Sequence, residues 1–311
     1  MIKILKVSSQ VPILVSIFSF LLLPMTAHAI GDIHLYAMPG QWAQDLPTSW
    51  IGNLHVRYFS FDRAFDRDGD KIHTTGVYGF QLIWKLGHVQ RLSDQWSLTN
   101  VVIGARAKVK TRIPGERHIS SSGMGDWLTT NYVGWHNKAN NLHIGTGFTL
   151  LIPVGDYNKG HQINIGENRW KLYLPFLMVQ YRLPVFDGLF LIELCCNIET
   201  RFKNKDTGWD DHDLSEWNFI FTYYPSRETR KLGFFVQPDL QLAINESELH
   251  GKGQDDGDFF TFGGSLGVIY ALKPHCILNL KYTQELIGRE LINGTPPPEV
   301  KAVHFMLAYI F

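Results

Sequence analysis

The sequence predicts an all-β fold: a transmembrane antiparallel up-and-down β-barrel of about twelve strands, preceded by an N-terminal signal peptide. Three observations predict it. Near the end of the chain, Val303, Phe305, Leu307, Tyr309 and Phe311 share one uncharged strand face, because strand side chains alternate with period two. In water such a stripe would be an aggregation-prone edge. At the other end, Lys3 and Lys6 precede an apolar run over 11–23 and then Ala27-His28-Ala29, the pattern of a cleaved secretory signal. Beyond residue 29 no run of eighteen consecutive apolar residues occurs, so no helical span is available and strands must make any crossing.

The expected organisation is a signal peptide over 1–29, a periplasmic N-terminal segment or small plug over 30–50, and the barrel over 51–311. Pro39, Gly40 and Pro47 argue against regular structure in the middle piece. Mean hydropathy is close to neutral, as expected when alternate residues face a polar interior. Lys and Arg number 29, as do Asp and Glu; this balance gives no reason to expect nucleic acid as a partner. Cys195, Cys196 and Cys276 form no disulfide framework.

Alternation and turn residues place strands near 51–63, 75–90, 96–112, 126–137, 141–154, 169–184, 188–203, 214–225, 230–245, 258–271, 275–289 and 299–311. Short connections fall near Ser93-Asp94, Lys138-Ala139-Asn140, Val185-Phe186-Asp187, Ser226-Arg227 and Lys273-Pro274. Long ones contain 66–70, 117–123, 158–168, 206–213, 248–257 and 291–298. Periplasmic turns alternating with longer outer loops are what an even-numbered barrel requires. A secreted β-sandwich would also show many short strands, but several strands here have an apolar outward face.

The same alternation assigns the lumen. Arg106, Lys108 and Lys110 are expected inward, with Val101, Ile103, Ala105, Ala107 and Val109 on lipid. Glu193, Asn197, Glu199 and Arg201 oppose outward Phe190, Ile192, Leu194, Cys196 and Ile198. Gln237, Asp239 and Gln241 face in, as do Asn279, Lys281, Thr283 and Glu285, while Arg57, Lys85 and Glu216 join them on weaker alternation. Such a lining is either a selective mixed-charge pathway or a set of paired charges filling a narrow cylinder.

Several patterns are weighed against catalysis or metal binding. Gly263-Gly264-Ser265-Leu266-Gly267 matches a nucleophile elbow but sits inside an extended segment. Asp66-Arg67-Asp68-Gly69-Asp70 starts like a calcium loop, yet Val77 occupies the position of the required glutamate. His118, His161, His212 and His250 are scattered over separate loops. No catalytic residue, metal site or cofactor is expected.

The stretch 123–175 carries Gly123-Met124-Gly125-Asp126-Trp127, then Ile152-Pro153-Val154-Gly155-Asp156-Tyr157, then Asn164-Ile165-Gly166-Glu167-Asn168-Arg169-Trp170. It resembles the meta-pathway phenol degradation family of outer-membrane β-barrel proteins assigned as transporters, with Val154 where the family has Thr. The resemblance extends from about residue 120 to the C-terminus. It implies uptake of aromatic or hydrophobic compounds and marks Gly125, Asp126, Pro153, Gly155, Asp156, Tyr157, Asn164, Gly166 and Trp170. From the residues themselves, Pro153 can end a ladder because it lacks a donor and Gly155-Asp156 suits a turn. Tyr157 and Trp170 suit a membrane rim. The motif is expected to fix a long loop over or into the barrel.

The leading functional expectation is an outer-membrane channel for small molecules, hydrophobic or aromatic ones among them. Its expected partners are outer-membrane lipid, lipopolysaccharide and a small-molecule permeant. The alternatives are a binding or structural barrel acting through its outer loops and, last, an outer-membrane lipid enzyme.

Overall fold

The computed structural model describes residues 46–112, 119–159, 161, 163–253, 258–289 and 296–311. The signal segment and most of 30–50 lie outside the described residues. The elements are β1 (Ser49–Phe65), β2 (Lys71–Arg91), β3 (Trp96–Arg112), β4 (Ile119–Met124), β5 (Trp127–Asn137), β6 (Leu142–Ile152), β7 (Lys171–Val185) and β8 (Gly188–Arg201). They continue with β9 (Trp209–Asp210), β10 (Leu214–Tyr224), β11 (Leu232–Ala243), β12 (Glu248–Leu249), β13 (Lys252–Gly253), β14 (Phe260–Lys273), β15 (Cys276–Arg289) and β16 (Lys301–Ile310). β4 and β5 both pair with β3 and form one traverse, interrupted at Gly125-Asp126. The wall is therefore a closed antiparallel barrel of twelve traverses. β9, β12 and β13 form a separate small sheet joining two outer loops.

Closure is made by the two ends of the described chain. β1 pairs with β16 from Ile51↔Ile310 to Ser60↔Lys301. Trp50 and Phe311 then exchange both backbone hydrogen bonds, at 2.8 and 2.9 Å. Pairing at this seam leaves no strand edge facing hydrocarbon, which a lipid environment demands. Outside the cylinder, Leu54, Tyr58, Phe80, Leu86, Val303, Phe305 and Tyr309 are exposed. Trp96 and Trp135 are register partners near the short turns, and Trp127 marks the opposite end of β5; these are the two aromatic levels of a membrane-spanning wall.

Turns at 92–95, 138–141, 186–187 and 274–275 define the periplasmic end. The expected alternation of loop length weakens at two places. The first outer connection, 66–70, is tight: the β1–β2 ladder runs to Phe65↔Lys71. Asp66 Oδ1 accepts from the backbone N–H groups of Asp68 at 3.0 Å and Asp70 at 2.8 Å. That acidic run is thus a self-capping turn, an Asx geometry. The inner connection 225–231 is the longer of the two.

Candidate functional site in the lumen and at its outer mouth

Burial separates the two faces of the wall. Arg57, Lys85, Glu193, Asn197, Glu199, Arg201, Glu216, Gln237, Asp239, Gln241, Asn279 and Lys281 are all buried and point inward. Glu285 is half-buried, and its Oε2 accepts from Val300 N at 2.5 Å, so it holds the approach to β16. β3 reverses the expectation. Arg106 and Lys108 are exposed and Lys110 is half-buried. They pair with Leu82, Phe80 and Tyr78 on the outer face of β2. Ala105, Ala107 and Val109, at 3%, 2% and 0% exposure, face the lumen instead. The rule that charge points inward fails here because this stretch lies at the outer end of the strand. There the outside meets lipid headgroups, and the inside meets an apolar loop.

The lumen divides into sectors. Its polar side is a girdle of hydrogen-bonded side chains. Gln237 donates to Asn218 at 2.8 Å and Gln241 to Glu216 at 2.8 Å. Ser265 and Thr283 hydroxyls are 2.8 Å apart, and Thr283 meets His304 Nε2 at 3.3 Å. His304 and His55 share a 3.0 Å contact, and Arg57 donates to Gln81 at 3.3 Å. Gln180 donates to Glu193 at 3.0 Å. His55, His304, Gln81 and Asn218 were not among the expected lumen residues. His304 was legible, since it alternates with Val303 and Phe305 on a strand whose outward face is unmistakable.

Apolar patches line the lumen along β1–β3 and β5–β8. One cluster joins Phe59, Val77, Ile83, Ala105, Ala107 and Val109 with Ile163 and Ile165 of the loop 153–170. A second contains Leu128, Leu151, Tyr173, Phe176 and Met178, and Ile103 packs against both. The loop between β6 and β7 therefore enters the barrel. It packs two isoleucines, each 3% exposed, against the inward apolar faces of β1–β3.

The family-like motif is the anchor of that loop. Asp126 Oδ1 accepts from Gly155 N at 2.8 Å and Asp126 Oδ2 from Glu167 N at 2.7 Å. Asp156 Oδ2 accepts from Met124 N at 2.7 Å, and Gly166 N donates to Asp156 O at 2.9 Å. Gly125 N donates to Ala105 O at 2.8 Å, and Asn164 Oδ1 accepts from Asn158 N at 2.7 Å. Glycine is required at two crossings: a Cβ on Gly155 would lie 2.7 Å from Asp126 N, and one on Gly166 2.8 Å from the Gly155 carbonyl carbon. Pro153 follows the end of β6, Trp170 is exposed at the rim beside β7, and Tyr157 is hydrogen-bonded to Asn204.

Beneath the loop lies an ion network. Glu199 Oε1 accepts from Lys171 Nζ at 3.0 Å and from Arg201 Nε at 2.6 Å, and Lys171 also reaches Glu167 at 2.8 Å. Arg169 pairs with Asp211, and Asn204 donates to the Glu167 carbonyl at 2.8 Å. Burial alone would push the Glu167 carboxyl up. The charges of Lys171, Arg169 and Arg201 outweigh it and hold Glu167 below the usual carboxylate range. The support this ionised group gives the folded loop is thus present at neutral pH and fades on acidification through that lowered value. Among the described residues no cluster of His, Cys, Asp or Glu has the arrangement of a metal site.

The family model described as "Putative MetA-pathway of phenol degradation" matches residues 59–290. The chain belongs to this family. Among solved structures, the COG4313 outer membrane channel from Pseudomonas putida F1 matches with a TM-score of 0.76 at 19% identity, covering 88% of this chain and 100% of that one. The transport unit of the autotransporter AIDA-I from Escherichia coli matches with a TM-score of 0.53 at 11% identity, covering 89% and 94%. Both likenesses are of fold. No curated protein matches in sequence. This family member has the β-barrel fold of outer-membrane proteins.

Proposed function

We propose that this family member is an outer-membrane channel for small apolar solutes, aromatic ones included, and that they pass along the apolar inner wall when the loop 153–170 gives way. The observation that carries the reading is the apolar inner wall beneath the loop 153–170. Interior walls that meet bulk water are polar in membrane barrels, whereas Ala107 and Val109 face inward beneath Ile163 and Ile165, and Phe176 and Met178 form a second inward apolar patch joined to the first through Ile103. Apolar pockets with a few polar groups are the usual form of a small-molecule site. The family description, with its phenol degradation, supports an aromatic cargo, and the P. putida protein, described as an outer membrane channel, supports the role. Residues 1–29 would direct export, and 30–50 would sit on the periplasmic side. Lipid and lipopolysaccharide would surround the wall.

The test is uptake of the uncharged aromatic dye N-phenylnaphthylamine by cells producing the parent or an inner-wall variant. Val109→Asp places a carboxylate on the path, and Val109→Phe fills it without charge. Each should lower the protein-dependent uptake rate roughly tenfold, a barrier change near 1.4 kcal/mol, with the barrel still folded by its heat-dependent gel mobility. Uptake equal to the parent in both folded variants would refute the assignment. The small sheet β9–β12–β13 favours a second reading, in which rigid outer loops bind a surface partner. We place no catalysis at Ser265, whose hydroxyl is bonded to Thr283 across two strands.

A further inference from the structure

The basic residues turned outward on β3 form a stripe with a definite height. Outward positions on this strand run Trp96, Leu98, Asn100, Val102, Gly104, Arg106, Lys108, Lys110. Trp96 marks the periplasmic interface. Ten residues of strand tilted at about 40° rise about 25 Å, the height of the apolar band of such barrels. Arg106 therefore stands where hydrocarbon gives way to outer-leaflet headgroups, and Lys108 and Lys110 stand above it. The level agrees with Trp127, an aromatic rim residue at the outer end of β5.

The surroundings suit an anion. On one side Lys108 and Lys110 pair with Ser122 and Ser120 of β4, two exposed outward hydroxyls. On the other lie Phe80 and Tyr78, with Lys110 Nζ 5.9 Å from the Tyr78 ring centroid. The only carboxylate in β1–β4 is Asp62, within the bulge of β1. Aromatic and aliphatic surface of β2 stands beside a row of cations and hydroxyls.

We propose that Arg106, Lys108 and Lys110, with Ser120 and Ser122, form a binding site for the phosphorylated headgroup of lipid A in the outer leaflet. Arginine and lysine here meet phosphate by charge-assisted hydrogen bonds, and the apolar surface of Phe80 and Leu82 carries the acyl chains. The site stands independently of what passes through the lumen.

The experiment titrates purified, detergent-solubilised protein with bisphosphorylated lipid A or with its dephosphorylated form at low salt, and reads bound lipid by native mass spectrometry. The variant is R106Q/K108Q/K110Q, whose substituted side chains lie outside the packed lumen. Each basic residue near an anionic surface contributes roughly fivefold, so the variant should bind the phosphorylated lipid about a hundredfold more weakly than the parent. Both proteins should bind the dephosphorylated form equally poorly. The single substitution R182Q, an inward residue near the periplasmic end, controls for loss of positive charge alone and should bind as the parent. Equal binding by parent and folded triple variant, or no preference for the phosphorylated lipid, would overturn the site.

Discussion

Replacing Glu199 by alanine should destabilise the barrel by about 3–5 kcal/mol, the cost of leaving buried charge without its partner. Glu199 is fully buried and its Oε1 serves Lys171 and Arg201 together, themselves 0% and 3% exposed. Lys171 keeps Glu167. The network also joins β7, β8 and the loop 153–170, which ties wall and loop into one unit. Urea titration of the protein refolded into lipid vesicles measures the effect. Glu199→Gln retains an acceptor and loses the charge, so it should fall between parent and alanine variant. A Glu199→Ala barrel as stable as the parent would mean that the network contributes nothing to the wall.

Asp126→Ala should act on the loop rather than on the barrel. Its carboxylate satisfies the buried N–H groups of Gly155 and Glu167. Hydrogen bonds to charged groups contribute about 1.5–3 kcal/mol each. Losing both costs on the order of 3 kcal/mol and raises the population of opened loop about a hundredfold. Lys159, exposed in that loop, provides the readout. Trypsin cleavage there should accelerate by a comparable factor while urea stability of the wall changes little. Asp126→Asn, with one acceptor oxygen, should show an intermediate rate. Unchanged cleavage in the alanine variant would show that the motif does not hold the loop.

How much of this was legible in the sequence differs from element to element. The last strand announces both its faces, since Val303 to Phe311 alternates aromatic and aliphatic residues without a charge on the lipid side. β8 is equally clear, with Phe190, Ile192 and Ile198 opposite Glu193, Glu199 and Arg201. Such strands cross hydrocarbon over most of their length, so burial preference and membrane preference act on opposite faces. β3 misleads because it outreaches the membrane. Alternation still set Ala105, Ala107 and Val109 apart from Arg106, Lys108 and Lys110, but period two cannot say which face is which. What decides it is height above the bilayer and the chemistry of the loop that enters the barrel. Besides the motif, a sign of that loop's entry was Ile163 and Ile165, apolar residues spaced by two in the otherwise polar run 158–169. The anchoring role of Gly155, Asp126 and Gly166 was expected from the motif. Their mutual contacts needed the fold, because they join positions far apart in the chain.

The central claim is that Val109 faces inward, packed beneath the loop 153–170 that must yield for passage, while Lys108 looks outward. Single cysteines at these two positions, in a chain with Cys195, Cys196 and Cys276 replaced, test it with a water-soluble maleimide. The account predicts that Val109→Cys is silent in the parent and labelled once Asp126→Ala frees the loop, with Lys108→Cys labelled in both. Immediate labelling of Val109→Cys in the sealed protein, with Lys108→Cys silent, would contradict it.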